Sequence, residues 1–142
     1  MLTDADYRAQ ADFRYAVRRF LHLAEVNARA AAITSQQHLL LLMVRGHPSY
    51  PAVSIAAIAA RLQIRPNSAS LLVDRAVNRT TVAGAPAPLL RRVQDATDRR
   101  RARVSLAPAG DEILARITAA NRRVLADLDQ ASEDLRDAIT RV

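Results

Sequence analysis

Two short runs of helix-spaced apolar residues meet across only three residues, and nothing else in the chain limits its fold so tightly. Ile55, Ile58, Ala59 and Leu62 follow the i, i+3, i+4, i+7 pattern of one helical face, and Ser54 stands at the N-cap position. Pro66 opens the next helix at a favoured first position, so Gln63, Ile64 and Arg65 alone make the connection. This is helix-turn-helix spacing. In the second helix Ala69, Leu72, Val73 and Ala76 form an inward stripe, which turns Asn67, Ser68, Ser70, Leu71, Asp74 and Arg75 outward.

The flanks are helical as well. Residues 4 to about 31 contain no Pro or Gly and carry Phe13, Val17, Phe20, Leu21, Ala24 and Ala28 at helical spacing, which predicts one long amphipathic helix. Thr34 and Gln37 form a capping box for a helix over residues 35–45 that ends at Gly46, and the two prolines of His47-Pro-Ser-Tyr-Pro51 impose a loop. Residues 80–88 are too rich in Pro and small side chains to continue a helix. Residues 89–93 and 102–106 read as two strands of a hairpin whose polar tip carries Arg99, Arg100 and Arg101. Pro108 starts a helix to about residue 128, and Ser132 with the acids after it predicts a separate short helix containing Leu135 and Ile139. The expected fold is mostly α with a small β-hairpin. A chain of 142 residues suits one domain, because two halves of this length would each be marginal.

Composition narrows the function. Half the residues are apolar but only 4% are aromatic, so burial rests on Ala, Leu, Val and Ile, as in closely packed helices. No apolar run nears the roughly 18 residues of a membrane span, and the start lacks the basic and apolar blocks of a secretory signal. A soluble, cytoplasmic protein is expected, with no membrane partner. The absence of cysteine removes disulfides, thiolate metal sites and thiol redox switches. His22, His38 and His47 have no helical metal-pair spacing, three glycines cannot build a phosphate loop, and no Ser, His and Asp grouping has motif context. No enzyme activity, metal or cofactor is therefore expected.

Charge is more telling by position than by sum. All 21 basic residues are arginine, and the net charge is +7. Residues 1–60 hold six Arg against four acids, residues 104–142 five against seven, and residues 61–103 ten against Asp74, Asp95 and Asp98. The whole surplus lies in the middle third, around the helix-turn-helix and the hairpin, as a polyanion-binding face requires. The second helix suits the major groove of DNA, with Asn67, Ser68 and Ser70 toward base edges or phosphates and its N-terminal amides toward a phosphate. Arg65 and Arg75 flank that helix as backbone contacts or a guanine reader, and the hairpin arginines suit the minor groove.

Residues 34–110 also resemble the MarR (multiple antibiotic resistance regulator) family. Ile58-Ala-Ala-Arg-Leu62, Ile64-Arg-Pro-Asn-Ser-Ala-Ser70 and Leu72-Val-Asp-Arg75 are similar to its helix-turn-helix, and Asp95-Ala-Thr-Asp-Arg-Arg100 with Val104-Ser-Leu-Ala-Pro-Ala-Gly110 to its wing and exit. The resemblance implies a winged helix-turn-helix lobe over residues 34–106 and a dimerisation region from residues 1–31 and 108–142, within a single domain. It implies DNA contacts from Asn67, Ser68, Ser70 and Leu71, and an Asp98 that orients Arg100 in the minor groove. The partners it implies are double-stranded DNA with a pseudo-palindromic operator, a second copy of the chain, and a small aromatic or phenolic effector that releases a repressor. Gln63 and Arg65 replace the family's turn Gly and capping hydroxyl, Ala107 replaces a Thr, and residues 80–88 exceed its short link to the wing. The alternative from another class is a basic RNA-associated or nucleoid-coating protein without sequence preference.

Overall fold

The computed structural model describes residues 1–95, 97–98 and 101–141. Its elements are α1 (Asp4–Ala30), α2 (Ser35–Arg45), β1 (Val53–Ser54), α3 (Ile55–Leu62), α4 (Pro66–Val77), β2 (Leu90–Gln94), β3 (Ala102–Leu106) and α5 (Pro108–Thr140). The fold is mostly helical with a small antiparallel sheet, as the periodicity predicts. Contacts divide it into a helical unit, Met1–Ala32 with Ile117–Val142, and a wing lobe, Ile33–Arg116.

The wing lobe is built on large aliphatic side chains. Leu40, Leu41, Val44, Val53, Ile58, Val73, Leu89, Leu90 and Val104 are essentially inaccessible to solvent, and α2 packs against α3, α4 and β3. Thr34 caps α2 through the expected box with Gln37, and the Ser54 hydroxyl accepts from the Ala57 N–H at 3.1 Å to cap α3. The hairpin gains a third strand that the sequence pattern does not reveal. β1 pairs with β3 through Val53↔Val104 and Ser54↔Arg103, giving the order β1-β3-β2. Two residues are too few to show a period-2 alternation, so only the partner strand defines β1.

α5 begins against this sheet. The Leu89 carbonyl accepts the Ala107 N–H at 3.0 Å, and a Cβ on Gly110 would lie 2.0 Å from that same oxygen. The glycine of the exit motif is thus set by a close backbone approach. Arg45 lies over the Tyr50 ring, 4.5 Å from its centroid, and reaches Asp111 at 3.9 Å.

The helical unit contains α1 and the later part of α5. Thr3 and Asp6 form a capping box for α1 that the sequence reading overlooks. Ala16, Ala24, Ala28, Ile117, Ala131 and Ala138 are buried, and Asn27 donates to Asn121 across the pair at 2.7 Å. Leu21, expected on the buried stripe, is exposed. The expected break before Ser132 is corrected, since α5 runs unbroken to Thr140. No Pro or Gly follows Gly110, and Gln130 donates to Asp134 at 3.0 Å across the very turn where a new helix was expected.

Candidate nucleic-acid interface

The turn before α4 is made without glycine. Gln63 takes the left-handed conformation, φ 57° and ψ 43°, while the Ile64 N–H bonds the Ala59 carbonyl and the Gln63 N–H bonds that of Ala60. These two bonds form a Schellman closure at the cost of placing a side chain where Gly is favoured. Arg65 is the N-cap of α4 and makes no side-chain cap hydrogen bond, and Pro66 follows at the first position. The Ala69 N–H is held by the Arg65 carbonyl, whereas the first-turn amides of Asn67 and Ser68 precede any intrahelical acceptor.

Ala69, Val73 and Ala76 are buried, and Leu72 is half-buried. Arg65, Asn67, Ser68, Leu71 and Arg75 are exposed, while Ser70 and Asp74 are partly so. The structure therefore brings the residues expected at the α4 interface onto one outer face. Asp74 forms an ion pair with Arg92 on β2, joining this helix to the wing strand.

The longer segment after α4 closes on itself. The Ala87 N–H bonds the Arg79 carbonyl at 2.8 Å, and Arg79 Nη1 returns a bond to the Ala87 carbonyl at 3.0 Å. Above that pinch Thr80 bridges Pro86, and Gly84, with φ 84°, turns the chain where a side chain would be strained. The Leu89 N–H then bonds the Ala76 carbonyl at 2.9 Å. The added residues are extruded at their base, and the wing strand starts beside the end of α4.

β2 and β3 pair from Leu90↔Leu106 to Gln94↔Ala102. Beyond them Arg101 approaches Asp98, with the side chains 3.9 Å apart and the Arg101 N–H on the Asp98 carbonyl at 3.2 Å. Arg99 and Arg100 lie outside the described residues. The sequence reading overlooks Asp95, whose Oδ1 accepts from the Thr97 N–H at 2.9 Å and the Thr97 hydroxyl at 2.7 Å, and whose Oδ2 receives Arg103 Nε at 3.1 Å. The two Thr97 bonds, followed by Arg103, lower its carboxyl to about 2. An Asp bonding the backbone two residues on is a known turn signal and was present in Asp95-Ala-Thr97.

His38 is buried on α2, and desolvation holds its imidazole below the usual histidine range. Among the described residues no group of three or more His, Cys, Asp or Glu is placed to hold a metal ion, and no helix is long and apolar enough to cross a membrane.

No protein-family model matches the sequence, and no curated protein matches it. Solved structures do. A MarR family transcription regulator, SP03579, superposes with a TM-score of 0.69 at 22% identity, over 95% of this chain and 87% of that one. A Staphylococcus (S. aureus) MepR–DNA complex gives 0.63 at 20% identity over 91% and 93% of the two chains. Bordetella bronchiseptica BpsR, solved in work on regulation of its DNA binding by 6-hydroxynicotinic acid, gives 0.57 at 19% identity over 81% and 79%. At these identities the likeness is one of fold. The chain has the winged helix-turn-helix fold of the MarR-family regulators.

Proposed function

We propose that this protein is a sequence-specific DNA-binding transcription regulator. The observation that carries the reading is the joint outer surface of α4 and the wing. An exposed polar first turn, lacking a side-chain cap, is flanked by Arg65 and Arg75 and tied through Asp74 and Arg92 to the strand that leads to the arginine-rich tip. Amides at a helix start and mobile guanidinium groups suit phosphates, while Asn67, Ser68 and Ser70 suit base edges. Leu71 offers an apolar contact to a thymine methyl. Asp98, Arg99, Arg100 and Arg101 form the wing's contribution, with Arg100 in the minor groove.

The active species is a homodimer on a pseudo-palindromic operator, with the helical unit as its dimerisation region and the whole chain as one functional domain. Tyr7, Tyr15, Leu21, Val26, Leu125 and Ile139 of that unit are exposed, an apolar load that a second copy would cover. It acts as a repressor that a small aromatic effector releases, by analogy with the effector control named for BpsR.

Selection of bound duplexes from random sequence tests the reading. A two-fold site protected by a dimer is expected, whereas uniform affinity that follows only salt would favour a nucleic-acid-coating protein. Asn67→Ala and Ser70→Ala should each relax base preference by about 1–3 kcal/mol, and Arg100→Ala should reduce the salt slope by about 1.

A further inference from the structure

We infer that Asp95 and Arg103 are the positioning pair of the wing, fixing where the arginine-rich turn leaves the sheet. The inference rests on the DNA-binding reading and adds to it two residues that do not themselves touch DNA.

Asp95 directly follows the last β2–β3 pair, Gln94↔Ala102, and Arg103 lies on the central strand opposite Val93. The guanidinium spans two elements, with Nε on Asp95 at 3.1 Å and Nη1 on the Ala52 carbonyl, just before β1, at 3.4 Å. The other carboxylate oxygen is occupied by the Thr97 amide and hydroxyl. One pair therefore links the segment before β1, the central strand and the first residues of the turn.

Burial separates this pair from the others. The Arg103 and Asp95 side chains are 21% and 10% exposed, while every other ion-paired side chain among the described residues is at least 45% exposed. A shielded pair with its remaining oxygen satisfied holds a geometry, whereas exposed pairs exchange with water and salt. Arg103 is engaged by two protein acceptors, Asp95 and the Ala52 carbonyl. Asp95 is also one of three acids among ten arginines in residues 61–103. A carboxylate beside a polyanion-binding face opposes binding unless it organises that face.

Electrostatics and positioning thus predict opposite signs for Asp95→Asn. Charge alone predicts tighter DNA binding. A positioning role predicts binding to a selected duplex weakened by about tenfold, the scale of one lost specific contact. The full chain is titrated with a duplex selected from random sequence and with a scrambled duplex of equal length, while exchange of the Thr97 amide is followed by NMR. Thr97→Val, which removes one bond to Asp95 without changing charge, should weaken binding in the same direction, Thr97→Ser should restore it, and Arg103→Lys should not substitute for the two-headed guanidinium. Asp95→Asn should also speed exchange of the Thr97 amide.

Selected-duplex binding by Asp95→Asn and Thr97→Val at or above the wild-type level overturns the proposal. If Asp95→Asn does not fold, Thr97→Val with its serine rescue decides the same point. A wild-type chain that does not prefer the selected duplex overturns the DNA-binding reading instead. Thr97 amide exchange then still decides whether the pair holds the turn: unchanged exchange in Asp95→Asn overturns that too.

Discussion

The wing lobe and the helical unit differ in what they bury. Inside the lobe lie Leu40, Leu41, Ile58, Leu89, Leu90 and four fully buried valines, whereas the helical unit buries mostly alanines and leaves Tyr7, Tyr15, Leu21, Val26, Leu125 and Ile139 in solvent. Burial of a large aliphatic side chain contributes about 1.5–3 kcal/mol, and alanine a fraction of that. The lobe therefore holds its own core, while the helical unit keeps much of its apolar surface for something else. In the helical unit the shielded side chains are mostly small, and the larger ones on its outer faces give it a surface.

The sharpest way to break this comparison is Gly110→Ala. The new Cβ would meet the Leu89 carbonyl at 2.0 Å, and that oxygen is already fixed by the Ala107 N–H. A loss of about 3 kcal/mol from the lobe is expected, the upper range for overpacking, and denaturant unfolding measures it. A loss under 1 kcal/mol would mean that the lobe yields more than a self-contained core should.

Next comes Leu21→Glu, directed at the exposed face of α1. If a second copy covers that face, the dimer constant should weaken by about tenfold or more, since a buried leucine contributes about 1.5–3 kcal/mol. Sedimentation equilibrium reads this directly, and an unchanged mass distribution would remove Leu21 from the interface.

Smaller effects come from one backbone feature that both units share. Among the described residues, Ala32 in the helical unit and Gln63 in the lobe are the two non-glycine residues with positive φ, 61° and 57°. Ala32→Gly and Gln63→Gly should each raise stability by about 0.5–1 kcal/mol, the relief of left-handed strain less the added freedom of the unfolded chain. Two resolved melting transitions, each shifted by only one of the substitutions, would show that the two units do not unfold together.

The smallest effect is in pH. The folded lobe disfavours a proton on His38, so the unfolded chain takes up that proton more readily. Its contribution is present above about pH 6.5 and declines as the pH falls below that value. His38→Leu should flatten the decline of stability below about pH 6.5. Asp95, lowered to about 2, adds a separate decline between about pH 4 and 2 that Asp95→Asn should remove.

Much of this was legible from local rules. Thr34 with Gln37, Ser54 and Pro66 mark helix starts because capping and proline geometry involve only neighbouring residues. The outer face of α4 followed from a 3.6-residue period. Local rules failed where a distant partner supplies the cause. Ser132 is an apparent cap inside a continuous helix, because nothing before it stops propagation. Leu21 matched the apolar stripe but faces solvent within one chain.

The sequence by itself determined the starts of α2, α3 and α4, the tight turn before α4, the hairpin and the concentration of arginine around them, since each depends on residues a few positions apart. Only the tertiary structure decided that Val53 and Ser54 form a strand, that Gly110 must lack a side chain beside Leu89, and that Arg103 joins Asp95 and Ala52. These contacts link residues 8 to 51 positions apart, and periodicity cannot specify which distant groups fill one another's hydrogen bonds and space.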